Sequence, residues 1–179
     1  MADILKFSPP SATFQREGSP TITISIAALA QIKDSASSSR RVETGGILVG
    51  FDSGRDLQIV AASDAGPGAK RTQTHFLRDT AYCREFLSRW YADTHADYLG
   101  EWHSHVVDLH QLSGGDLSTL AGILIDPDYD FVTFAVVLVV VGKGEPELLV
   151  YSVEPSRQAY GARILVTGLY RGKFPESEP

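Results

Sequence analysis

The sequence has little cysteine, little positive charge and no long apolar run. Cys83 is its single cysteine, which excludes an internal disulfide and the cysteine-rich structural zinc sites. This cysteine usage is typical of a cytoplasmic protein, and we expect that location. The formal net charge of −6 argues against a broad nucleic-acid-binding face, which is usually basic. We therefore predict no nucleic-acid partner.

The most apolar stretch, residues 131–141, is too short to span a membrane. It has about 11 residues, whereas a transmembrane helix needs roughly 20, so we interpret it as a buried strand. Residues 1–14 lack the charged-then-apolar pattern of a signal peptide. We therefore predict neither export nor association with a membrane.

The 179 residues fit one ordinary domain of the α/β class. Turn chemistry and apolar patterning predict two hairpins, over residues 45–62 and 131–153, and three helices, over residues 26–34, 80–96 and 117–125. Interleaved helices and β-branched strands predict a three-layer α/β/α sandwich, with helices on both faces of a mixed sheet.

The two ends of the chain look less regular than its middle. We expect an irregular lead-in over residues 1–20, a single domain over residues 21–170 and a disordered tail over residues 171–179. Residues 157–168 fit either a helix or a strand.

A His-x-His pair is the first sign of a metal site. In an extended segment, the side chains of His103 and His105 point to the same face and can reach one ion. Asp116, at the start of a predicted helix, can add a carboxylate oxygen. Two nitrogens, one oxygen and an open position for water match a catalytic zinc site. His110 lies outside this spacing, and we interpret it as a loop residue.

Other residues could supply the remaining chemistry of a hydrolase. Ser113, three residues before Asp116, is well placed to donate to a developing oxyanion. Each residue also has a simpler interpretation: Ser113 as a helix cap, and Asp116 as a complement to the helix dipole. The combined spacing favours the metal site over these alternatives.

The run His103-Ser104-His105, seven residues, Ser113, two residues, Asp116 resembles the JAMM signature of the JAB/MPN (Mov34/PAD-1) metalloproteases. That signature also has an upstream glutamate at a Gly-rich strand, and this chain has Glu43-Thr44-Gly45-Gly46-Ile47-Leu48-Val49-Gly50. The resemblance covers roughly residues 20–155. Many members have a proline after the second histidine, and here Val106 makes that loop less stiff.

The resemblance implies a cytidine-deaminase-like fold and a Zn²⁺ cofactor held by His103, His105 and Asp116. It implies Glu43 as the general acid and base and Ser113 as the oxyanion donor. The implied reaction is hydrolysis of the amide bond after the C-terminal glycine of a ubiquitin-like protein or its conjugate. Gly45 and Gly46 would then let an extended substrate tail approach closely; a role in backbone conformation alone is the simpler alternative.

The short chain resembles the compact bacterial members of the family. Such proteins occur in operons with E1-like and E2-like proteins, including CBASS anti-phage systems, so these are the implied partners. Processing of sulfur-carrier proteins and a non-catalytic scaffold role remain alternatives. A base deaminase is excluded, because its zinc site needs two or three cysteines.

Overall fold

The computed structural model of this chain describes residues 9–156 and 163–176. In chain order, these residues form β1 (Ser11–Phe14), β2 (Ile22–Ser25), α1 (Ile26–Ser38), β3 (Gly45–Ser53), β4 (Asp56–Ala62), β5 (Lys70–Arg71), β6 (Phe76–Leu77), α2 (Thr80–Thr94), β7 (Asp97–His105), α3 (Gly114–Leu124), β8 (Phe134–Val140), β9 (Glu147–Ser156) and β10 (Arg163–Lys173).

Eight of these strands form one mixed sheet in the order β1-β2-β4-β3-β7-β8-β9-β10. The pairs β2/β4 and β7/β8 are parallel, and the other neighbouring pairs are antiparallel. The predicted hairpins are confirmed as β3/β4 and β8/β9. The short strands β5 and β6 pair with each other in a separate hairpin.

Helices cover both faces of the sheet, which confirms the predicted three-layer α/β/α sandwich. On one face, α1 buries Leu29 and Ile32 in a cluster that includes Trp102. On the other, α2 and α3 contribute Cys83 and Leu120 to a second cluster. Every residue of β8 is buried, because this strand lies inside the sheet and is covered on both faces.

Side-chain caps determine where the helices begin. Ser25 Oγ accepts a hydrogen bond from the backbone N–H of Ala28, and Asp79 caps α2 in the same way. At its other end, α2 stops at His95, whose φ of 59° breaks the helix. No helix within the described residues has the length and apolar composition needed to cross a bilayer.

The prediction of an irregular lead-in over residues 1–20 is wrong for part of that segment. Residues 11–14 form β1, which pairs antiparallel with β2. Phe14 is buried in the core, where its ring packs against Tyr170. The strand was missed because four residues carry little periodicity, and the pairing partner stabilises them. Residues 1–8 lie outside the described part of the chain.

The prediction of a disordered tail over residues 171–179 is also wrong at its start. Strand β10 continues to Lys173 along β9, and Phe174 is buried in the core with Lys33 Nζ above its ring. Residues 163–168, for which the sequence fits either a helix or a strand, belong to β10. Residues 157–162 and 177–179 lie outside the described part of the chain. We propose that the single domain extends from Ser11 to Phe174 rather than over 21–170.

Candidate metal centre

Strand β7 places two histidine side chains at one end of the sheet. It lies between β3 and β8 and ends at His105. His103 and His105 point to the same face, as the alternation of strand side chains requires. Ser104 between them is fully buried and accepts a hydrogen bond from the backbone N–H of Thr44. The strand therefore fixes both imidazoles on a rigid, buried backbone.

The third side chain arrives from the first turn of α3. Ser113 Oγ accepts from the backbone N–H of Asp116 at 3.1 Å, and Asp116 Oδ2 accepts from the backbone N–H of Ser113 at 2.6 Å. This reciprocal capping box fixes the carboxylate at the helix start. The simple interpretation of Ser113 as a helix cap is therefore confirmed, and the cap aims Asp116 at the histidines.

The three side chains converge on one point. The Nε2 atoms of His103 and His105 lie 3.2 Å apart. Asp116 Oδ1 lies 3.4 Å from His103 Nε2, and Asp116 Oδ2 lies 3.3 Å from His105 Nε2. The side chains are 15%, 3% and 23% exposed for His103, His105 and Asp116. The cluster is therefore largely buried but open on one side.

His105 is held in one ring orientation by the loop that follows β7. Its Nδ1 lies 2.9 Å from the backbone oxygen of Leu109. A carbonyl can only accept, so Nδ1 carries a proton and Nε2 is the ring nitrogen that faces the cluster. Burial lowers the pKa of His105, but the hydrogen bonds to Asp116 and Leu109 outweigh it and raise the pKa overall.

These distances fit a tetrahedral zinc site. Ligand atoms about 2.0–2.1 Å from one zinc ion lie about 3.3–3.4 Å from each other. The two imidazole nitrogens are 3.2 Å apart, and the carboxylate presents one oxygen to each of them at 3.4 and 3.3 Å. Burial would raise the pKa of the Asp116 carboxyl, but hydrogen bonds to His103 and His105 hold it well below its usual range. An ionised carboxylate beside two converging imidazole nitrogens is a donor set suited to a divalent cation.

Glu43 approaches the same cluster from the segment just before β3. It is 8% exposed, and its backbone N–H donates to the Thr72 carbonyl at 2.7 Å. Burial raises the pKa of its carboxyl, while the nearby charges of His105 and His103 oppose that rise only in part. The arrangement thus brings together the five residues expected from the sequence: Glu43, His103, His105, Ser113 and Asp116.

Gly45 and Gly46 have packing partners within the protein itself. A Cβ built on Gly45 would lie 2.3 Å from the Trp102 carbonyl oxygen, and one on Gly46 would lie 2.3 Å from that of Ser63. Both glycines are buried in β3. The missing side chains therefore let neighbouring backbone approach, and the expected substrate contact at these positions stays a prediction.

This packing predicts opposite effects for two glycine-to-alanine substitutions. Gly46→Ala should destabilise the protein by about 1–3 kcal/mol, because backbone must move to admit the methyl group. Gly122→Ala, at an exposed position of α3 with open space around it, should stabilise by up to about 1 kcal/mol. Denaturant titration of both variants checks the signs, and an unchanged midpoint for Gly46→Ala would contradict the packing explanation.

Sequence reasoning missed the groups that support the site from outside. The Leu109 carbonyl and the Thr72 carbonyl are backbone atoms, which leave no residue-type signal. His110 lies in a loop, as expected from the sequence, and its contacts with Asp108 and Glu147 were not foreseen. Its spacing gave no reason to connect it with a strand 37 residues away.

Comparison with known proteins identifies related sequences and a related fold. Residues 25–153 match a family described as prokaryotic homologues of the JAB domain. The chain is 30% identical over 145 residues to a protein named "CD-NTase/cGAS isopeptidase" from Enterobacter hormaechei subsp. hoffmannii (strain UCI 50), covering 79% of this chain and 78% of the relative. The solution structure of protein DSY2949 from Desulfitobacterium hafniense matches with a TM-score of 0.56 and 16% identity, covering 80% and 89% of the two chains. That structural match supports the fold alone.

Proposed function

The chain belongs to the JAB domain family, as one of its prokaryotic homologues, and from this premise we propose that it is a zinc-dependent isopeptidase. In this proposal, His103, His105 and Asp116 hold the zinc ion, Glu43 moves the proton and Ser113 stabilises the oxyanion. The bond hydrolysed is the amide after the C-terminal glycine of a ubiquitin-like protein or of its conjugate. The single cysteine supports a cytoplasmic place of action.

One observation carries the proposal: three metal-ligating side chains from two elements converge beside a buried carboxyl. The ligand atoms of His103, His105 and Asp116 all lie within 4.8 Å of one another. In a surface cluster formed by chance, we would not expect a capping box that orients Asp116 or a backbone carbonyl that orients His105. Both features match the outer contacts that position the ligands of metal sites.

The chain's own residues divide the work of amide hydrolysis. A zinc ion bound here would polarise the scissile carbonyl and lower the pKa of a water molecule to about 7. Glu43 accepts the proton of the attacking water and returns it to the leaving amine. Its raised pKa suits the first half of this transfer, because burial makes the carboxylate a stronger base than an exposed one.

The Ser113 hydroxyl has a hydrogen left to donate. Its oxygen accepts from the backbone N–H of Asp116, which uses only a lone pair. The O–H can therefore turn toward the carbonyl oxygen on which negative charge develops. A donor held by a helix cap does not have to reorganise during the reaction, which is the source of its contribution to the rate.

Replacing Ser113 should separate this catalytic role from the cap. Ser113→Ala should lower kcat by about 10²–10³-fold while it costs about 1 kcal/mol of stability through the lost cap. Ser113→Thr retains both the hydroxyl and the cap and is the matched control. Steady-state kinetics at equal zinc content checks the prediction, and a kcat for Ser113→Ala within threefold of the wild-type value would remove Ser113 from the mechanism.

The named relative suggests which conjugates to examine. The Enterobacter protein is called a CD-NTase/cGAS isopeptidase, and we propose that the present chain acts on a related class, a CD-NTase joined through its C-terminus to another protein. E1-like and E2-like proteins would form such a conjugate, and antiviral defence is the process that this substrate supports. Unconjugated sulfur-carrier precursors are the alternative substrate.

The function can be tested with three substrates and the zinc-loaded protein. The first is a ubiquitin-like protein linked through its C-terminal glycine to a lysine side chain, the second is a CD-NTase conjugate with the same linkage, and the third is a sulfur-carrier precursor. Mass spectrometry of the products identifies the bond. Cleavage after the terminal glycine of either isopeptide substrate is expected, and cleavage of the third substrate alone would favour the alternative.

A further inference from the structure

The loop of residues 106–112, between β7 and α3, orients His105, and its sequence does not explain what holds the loop in place. Val106 stands where many family members have a proline, so the loop lacks that source of stiffness. Yet the Leu109 carbonyl in this loop accepts the Nδ1 hydrogen of His105 and leaves Nε2 facing His103 and Asp116. Some other contact must hold the loop in place.

His110, directly after Leu109, supplies such a contact. Its Nε2 lies 2.6 Å from Asp108 Oδ1, and its Nδ1 bonds to Glu147 Oε2. Asp108 is 89% exposed and belongs to the same loop, whereas Glu147 is 25% exposed and belongs to β9. Because Asp108 lies in the loop itself, only the bond to Glu147 joins His110 to the sheet, where it adds to the packing of the buried Leu112.

Both bonds of His110 require a protonated imidazole. Each ring nitrogen faces a carboxylate oxygen, which can only accept, so both nitrogens must donate and the ring must carry a positive charge. The hydrogen bonds to Asp108 and then Glu147 raise the pKa of His110 accordingly. The cation is thereby favoured at a pH where an unpaired histidine would be largely neutral.

Glu147 is itself fixed from the opposite side. Arg171 Nε donates to Glu147 Oε1 at 2.7 Å, across the β9/β10 pair. Glu147 is also the first residue of β9, where it pairs with Val140 of β8. The carboxylate that receives His110 therefore lies on a hydrogen-bonded sheet rather than on a second loop.

We propose that His110 is a positioning residue, whose ion pair with Glu147 holds the 106–112 loop so that the Leu109 carbonyl fixes the ring orientation of His105. This inference rests on the proposed zinc site and adds a residue outside the family's signature. The series of contacts runs from the Arg171 guanidinium to Glu147 and then to His110, and it continues through the Leu109 carbonyl to His105.

The hydrogen bond from His105 Nδ1–H to the Leu109 carbonyl is the direct readout. In the metal-free full-length protein, the Nδ1 proton of His105 should exchange slowly with solvent in the wild type and rapidly in His110→Ala. Zinc competition should show a dissociation constant raised about tenfold, the lower end of the effect of losing an outer partner of a ligating histidine. Glu145→Gln, which removes the nearby carboxylate that pairs with Lys173, is the matched control.

A double-mutant cycle tests whether His110 acts through Glu147. If His110 and Glu147 act only through their ion pair, adding Glu147→Ala to His110→Ala should raise the zinc dissociation constant no further than either change alone. Additive effects would overturn the proposal, as would a His110→Ala variant whose His105 Nδ1 proton exchanges as slowly as in the wild type and whose zinc dissociation constant lies within twofold of the wild-type value. Absence of cleavage by the zinc-loaded wild type would instead count against the isopeptidase function, since neither readout here depends on turnover.

Discussion

Replacement of Glu43 by glutamine is expected to lower kcat on an isopeptide substrate by about 10²–10⁴-fold without loss of zinc. Glutamine keeps the size of the side chain but cannot accept the proton of the attacking water. Glu43 is not among the three side chains whose ligand atoms converge within 4.8 Å, so the metal should remain bound. The measurement is single-turnover cleavage, with zinc content determined on the same sample.

The matched control is Glu85→Gln, on the exposed face of α2, which makes the same chemical change away from the cluster. It should retain wild-type turnover. Two results would contradict the assigned role. Wild-type turnover of Glu43→Gln would show that another group moves the proton, and loss of zinc would show that Glu43 belongs to the ligand set.

The second large effect is expected from His103→Ala. Removal of one of three protein ligands should weaken zinc binding on the order of 10³-fold or more, and cleavage should fall to the background rate because the water is no longer activated. The fold should survive, because His103 lies at the open side of the cluster and is 15% exposed. Zinc competition and circular dichroism together check both parts.

A histidine outside the site provides the control for His103→Ala. His95→Asn changes a histidine at the C-terminal end of α2, where asparagine tolerates the positive φ of 59°. Its zinc binding should equal that of the wild type. Similar loss in both variants would mean that the metal binds histidines non-specifically, and retained affinity in His103→Ala would place the ligands elsewhere.

The sequence allowed prediction of those parts of the site that depend on local geometry. Residues two apart on a strand share a face, which was sufficient to bring His103 and His105 together. Ser113 and Asp116 lie within one helical turn, so a capping box between them can be recognised from the sequence. The two hairpins and the helix starts are local in the same sense, because turn residues and caps act over a few positions.

The remaining features depend on contacts between distant parts of the chain. Strand β1 has only four residues and exists through its pairing with β2, and β10 was recognisable only once β9 lay beside it. The ion pair of His110 with Glu147 joins positions 37 residues apart, and the Leu109 carbonyl carries no residue-specific signal. The glycines of β3 admit backbone from Trp102 and Ser63, which are distant in the sequence, and the expected substrate contact there stays a prediction.

The most direct test of the proposed site is stoichiometric reactivation of the metal-free protein. Zinc is removed with a chelator, then returned in known amounts while the initial rate of isopeptide cleavage is measured. The proposed zinc site predicts no cleavage without metal and a rate that rises linearly until one zinc ion is bound per chain. A rate that is the same in the metal-free and zinc-loaded protein would contradict it.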